Sequence, residues 1–81
     1  MEIKTITAPG TTVFSQRWNY YAVRNNGSED ADVILPGDES VFTVPSGQMG
    51  IVELGTDRIT IAGSDINIEV VGQVDKVFPW G

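Results

Sequence analysis

The chain contains no cysteine and no histidine. Without thiols there is no disulfide staple and no thiolate nucleophile; without imidazole there is no Ser-His-Asp relay and no conventional zinc site. Basic residues are scarce as well, five against eleven acidic ones, for a formal net charge of −6. A surface of that sign repels polyphosphate and has no basic stripe for counterion release, which argues against nucleic acid as a partner. No apolar run approaches the roughly 18 residues of a membrane-spanning helix. Residues 1–8 alternate apolar and polar side chains where a signal peptide would build an apolar stretch. The expectation is a soluble chain that is structured from its first residues, with no membrane partner.

What is present is a period of two residues, almost everywhere. Val, Ile and Thr dominate the periodic segments, and their stiff side chains suit a pleated surface better than a helix. Ile59-Thr60-Ile61-Ala62 and Ile66-Asn67-Ile68-Glu69-Val70, joined by Gly63-Ser64-Asp65, read as a hairpin. Tyr20-Tyr21-Ala22-Val23-Arg24 and Ala31-Asp32-Val33-Ile34-Leu35, flanking an Asn-Gly turn at residues 25–30, read as a second. Pro36-Gly37-Asp38 and Pro45-Ser46-Gly47 bracket Val41-Phe42-Thr43-Val44, and Gly55-Thr56-Asp57 closes Ile51-Val52-Glu53-Leu54. Phe14 and Trp18, four apart, allow one helical turn, but with no cap and no second apolar stripe the stretch 13–19 reads as extended chain. The fold class expected is all-β: a small antiparallel sandwich or barrel, jelly-roll or Greek-key-like, of about seven to eight short strands. It forms a single domain over residues 1–81, with an extended N-terminal arm at 1–10 and an aromatic tail at 76–81.

The candidate chemistry is thin. Asn26, Ser28, Asp30 and Asp32 fall at the alternate positions of a calcium loop, but Ala31 stands where the bend needs glycine and no glutamate closes the loop. This stretch, like Asp38-Glu39, reads as solvated turn. Paired carboxylates for glycoside hydrolysis need a cleft that a small core leaves little room to build. Gly47-Gln48-Met49-Gly50 lacks the Lys and Ser/Thr of a phosphate loop, and Asn26-Gly27-Ser28 matches a glycosylation sequon without a secretory signal. The expectation is therefore no enzyme, no metal and no cofactor. Trp18, Tyr20 and Tyr21 offer one alternative, a platform on which glycan rings could stack in a carbohydrate-binding module or a fibre component.

The two ends say more. For 81 residues the hydrophobic gain and the conformational entropy lost each come to about 120 kcal/mol, so a lone copy is marginal and association is the available staple. Lys76-Val77-Phe78-Pro79-Trp80-Gly81 places two large aromatics around a proline beyond the last strand pattern. Folded back, they supplement the core; extended to a neighbour, they are the anchors that interfaces concentrate. Residues 2–7, set apart by Ala8-Pro9-Gly10, read as a strand able to join its own sheet edge or a neighbour's. Ile3, Ile6, Phe78, Pro79 and Trp80 are the candidate partner contacts.

Several of these stretches together, the opening Met-Glu-Ile-Lys-Thr-Ile-Thr-Ala-Pro-Gly, Tyr20 to Gly27 followed by Ala31-Asp32-Val33, Val44-Pro45-Ser46-Gly47-Gln48 and Ile59 to Gly63, resemble the small all-β virion proteins of tailed bacteriophages. The resemblance implies a capsid decoration (cement) protein, or another head- or tail-associated structural protein. It implies a homo-oligomer, a trimer by preference, on the outer capsid surface, with arms spread over the major capsid protein after a soluble stage in the host cytoplasm. Acidic charge suits an outer face better than one turned to packaged DNA.

Overall fold

A computed structural model describes residues 1–37 and 40–80, so the Asp38-Glu39 pair and Gly81 lie outside the described residues. Six strands form among them: β1 (Glu2–Ile6), β2 (Gly10–Asn25), β3 (Ala31–Ile34), β4 (Val41–Val44), β5 (Met49–Gly63) and β6 (Ile68–Gln73). They make one antiparallel sheet in the order β1-β6-β2-β5-β3-β4, not closed into a barrel. Six replaces the expected seven or eight because two strands are long. β2 runs through residues 13–19 as extended chain, with register irregularities on either side of Trp18. β5 runs through Gly55-Thr56-Asp57, where a turn was expected, and buries Thr56 there.

The irregularities divide the sheet into two halves. In the first, Tyr20–Arg24 of β2 pairs with Glu53–Met49 of β5 on one side and with β6 on the other, and β6 carries β1. In the second, Gly10–Val13 of β2 pairs with Ile61–Arg58 of β5, which pairs in turn with β3 and through it β4. A bulge adds local twist and bends the strand that holds it, and Asn25 at the end of the first half donates to the Val44 carbonyl at the end of the second. Phe14, Trp18, Tyr21, Val23, Val33, Val44, Val52, Ile59, Ile61, Ile68 and Val70, drawn from both halves, belong to one buried core cluster. Phe14 and Tyr21 pack with ring centroids 4.9 Å apart at 60°, a tilted aromatic pair.

Neither expected hairpin forms. The segments around residues 59–62 and 66–70 are separated by β2, and β3 sits beside β5 and β4, not beside β2. The turn residues do bend the chain, with Gly63 at φ 139° and Asp65 at φ 50°. Each connection nevertheless joins strands that run the same way, since β5 and β6 are both antiparallel to β2, and β2 and β3 both antiparallel to β5. A bend does not choose a neighbour, and both connections cross from one half of the sheet to the other. Asn25, at the end of β2, ties that crossing down. Its Nδ2 donates to the carbonyls of Glu29 (2.8 Å) and Val44 (2.9 Å), and its Oδ1 accepts from the Gly27 amide (2.9 Å).

Candidate functional site

β1 is an edge strand whose hydrogen-bonded neighbour is β6 alone. Its alternation sends Glu2, Lys4 and Ile6 toward the core side and Ile3 and Thr5 to the outer face. Glu2 anchors it. One carboxylate takes the Ser15 amide (3.0 and 3.1 Å), the Ser15 hydroxyl (2.7 Å) and the Trp18 indole N–H (3.1 Å), with Lys4 Nζ at 3.9 Å. The Ser15 hydroxyl above all, then the Trp18 indole, holds the Glu2 carboxyl below its ordinary pKa. A depressed folded pKa gives stability that is present above the unfolded value of 4.5 and lost as pH falls through the folded one. Glu2→Gln is therefore expected to remove part of the acid limb of the stability curve. Denaturant midpoints of both proteins taken below pH 4.5 test this, and parallel acid limbs would refute it.

On the outer face the registers align Ile51, Ala22, Val71 and Ile3 in one cross-strand row. Val71 and Ala22 are buried although they face away from the core. The chain after β6 covers them. Gln73 Nε2 donates to the Val77 carbonyl and Trp80 Nε1 donates to the Glu69 carboxylate, so residues 74–80 fold back across β6. The cover is incomplete. Met1 is 73% exposed, Ile3 57%, Val74 60%, Val77 53% and Phe78 45%, and Met1, Val74 and Val77 come together along one rim of the molecule. A cleft of about 310 Å³ runs beneath this rim, lined by Met1, Gln73, Val74, Asp75, Val77 and Pro79.

Of the five residues expected to meet a partner, Ile3, Phe78 and Pro79 are exposed. Ile6 is not available, because it is buried in the core cluster. Trp80 is half-buried on its own sheet, so of the two postures open to the tail this chain takes the folded-back one. Met1, Val74 and Val77 were not singled out from the sequence; the signal was there, in apolar residues that continue beyond the last strand without a buried partner. Trp18, Tyr20 and Tyr21 do not form a stacking platform. Trp18 and Tyr21 point into the core, while Tyr20 is half-buried on the opposite face. The bulge at Trp18 turns its side chain to the same side as Tyr21, whose hydroxyl donates to the Thr56 carbonyl. Burial raises the Tyr21 pKa.

The alternate-position residues of the 26–32 stretch face different neighbours. Ser28 Oγ donates to Asp65 (2.8 Å), Asp30 accepts from the Ser46 amide (3.2 Å) and Asp32 accepts from Thr43 Oγ1 (2.7 Å). Their oxygens are spent on turn and cross-strand contacts and do not converge. Comparisons with family models, with curated proteins and with solved structures gave no match to this chain.

Proposed function

We propose that this chain is a non-enzymatic structural subunit of a virion, of the capsid-decorating kind it resembles, which works by attaching to its own copies and to the major capsid protein. The observation that carries the reading is the exposed apolar rim of Met1, Val74 and Val77 together with Ile3 on the open β1 edge. Apolar side chains clustered in this way mark association surfaces more often than they serve a lone monomer. A strand edge beside them adds backbone donors and acceptors that a neighbouring chain can take up. The acidic balance fits an attachment on the outside of a shell, away from packaged nucleic acid.

Phe78 separates attachment from folding, since 45% of it is already in solvent. Phe78→Asp is expected to leave the melting temperature within about 3 °C of the native protein, as surface substitutions do. The same change is expected to abolish co-sedimentation with capsids of the virus that encodes the chain. Native protein that stays in the supernatant under the same conditions would refute the reading.

A further inference from the structure

We infer that the β1 edge pairs with the β1 edge of a second copy, antiparallel and centred on Ile3, to join two sheets into one across a two-fold axis. This deepens the association reading and rests on it. It names the partner as another copy of this chain and sets the number at two, in place of the three that the resemblance implies.

Three features of the edge lead there. The first is the outer-face row of Ile51, Ala22, Val71 and Ile3, which runs strand by strand to the edge and stops at a side chain 57% exposed. A second Ile3 set opposite continues that row without a break into the next sheet. The second is the charge pattern on the other face. Two antiparallel edges related by a two-fold axis keep their faces in common, so only registers centred on a residue are available. Centred on Ile3, Glu2 of each copy lies opposite Lys4 of the other. Centred one residue earlier, Glu2 meets Glu2; one later, Lys4 meets Lys4; and like charges directly opposite are destabilising. Centred on Thr5, the ladder is no longer than the Ile3-centred one, and Lys4 faces Ile6, so neither copy gains the Glu2–Lys4 pairing. The inward-facing pair Glu2 and Lys4 thus discourages foreign strands, as charges on an edge do, while remaining complementary to itself.

The third feature is the contrast with the opposite edge. β4 has four residues and ends against Pro45, which lacks an amide donor, so it offers a shorter ladder than β1. A ladder that pairs Glu2, Ile3 and Lys4 of each copy, with Thr5 reaching Met1 at either end, forms an interface at the small end of the usual range, and the dimer should be weak and reversible.

The absence of native cysteine makes the register directly readable. Opposed residues in the Ile3-centred ladder have Cβ atoms about 5 Å apart, within reach of a disulfide after a small shift. Two copies of Thr5, exposed on the same face, would lie about 14 Å apart along the strands. Under mild oxidation Ile3→Cys is expected to give a covalent dimer and Thr5→Cys to remain monomeric on a denaturing gel. Sedimentation equilibrium of the native chain should show a monomer–dimer equilibrium, weakened more than about tenfold by Ile3→Lys, which sets like charges opposite at the axis. If Ile3→Lys fails to fold by circular dichroism, the cysteine pair decides alone. A dimer or trimer in which Thr5→Cys cross-links as readily as Ile3→Cys overturns the inference and leaves the association reading standing. A native chain that is monomeric at every concentration overturns both.

Discussion

Gly72→Ala is expected to lower the melting temperature by about 12 °C or more, at a cost of about 3 kcal/mol. Gly72 lies in β6, paired with Tyr21 on one side and Glu2 on the other, and it is buried. Alanine fits the backbone there; the space is what is missing. A Cβ would sit 2.5 Å from Trp18 Cδ1 and 2.7 Å from Cγ, well inside van der Waals contact. The indole cannot simply slide away, because its N–H is donated to Glu2 at 3.1 Å and the strand that carries it is fixed by the bulge. Moving it combines overpacking strain with the loss of a hydrogen bond to a charged acceptor. A domain of this length has only about 4–12 kcal/mol in total to lose. Thermal unfolding followed by near-ultraviolet circular dichroism measures the drop, and the cause is isolated by a double-mutant cycle. In a Trp18→Ala background the added methyl group should cost little, and an undiminished penalty there would sink the explanation.

The second large effect is expected at Asn25, which is 1% exposed and uses both ends of its amide. Asn25→Asp keeps the shape and replaces the donor of two hydrogen bonds with an oxygen aimed at the carbonyls of Glu29 and Val44. A buried acceptor facing acceptors, carrying charge, should cost about 3 kcal/mol or more at neutral pH. The sign of the pH dependence follows from which form the site tolerates. The protonated carboxyl can still donate one bond, so burial raises the folded pKa of the introduced acid above its unfolded value of about 3.9. The deficit relative to native protein is therefore smallest below that value and grows as pH rises through the folded pKa. Denaturant unfolding of both proteins at acid and neutral pH reads the difference directly. A deficit that does not shrink at acid pH would show that the amide donors are not what the site requires. The same amide holds the end of β2 to the end of β4, so the variant also tests whether this stitch keeps the two halves of the sheet together.

Not every contact has this weight. Arg58 with Asp57, and Thr11 with Thr60, are exposed pairs on strands already held by their ladders. Exposed ion pairs contribute little once side-chain entropy and solvent screening are counted. The energetic centre lies where Glu2, Ser15, Trp18 and Gly72 meet, since there the edge strand, the bulge and the core share the same few atoms. That coupling also bears on attachment: an edge strand can serve as a docking rail only if its own sheet holds it firmly, and Glu2 is what fastens β1 from beneath while Ile3 faces outward.

Local chemistry was legible in the chain itself. Alternation with a period of two, rich in Val, Ile and Thr, determined an all-β protein without helix, because each strand displays its two faces within a few residues. Glycine, asparagine and proline marked most strand ends, though Gly55-Thr56-Asp57 lies inside β5. Ile3, Phe78 and Pro79 stood out as candidate contacts on an isolated strand and an apolar tail, but whether that tail folds back or reaches a neighbour was not legible there. Tertiary structure alone decided who pairs with whom. A strand carries the same pattern beside any neighbour, and the choice of β2 as the partner of both β5 and β6 rests on hydrogen bonds between residues far apart in sequence. The bend at Trp18 was equally out of reach, and it turned three adjacent aromatics, which in sequence could have served as a surface platform, into two core residues and one on the outer face. The tertiary structure also buried Ile6 and brought Trp80 down on Glu69, since burial depends on what the folded sheet sets above a side chain, and no local pattern records that.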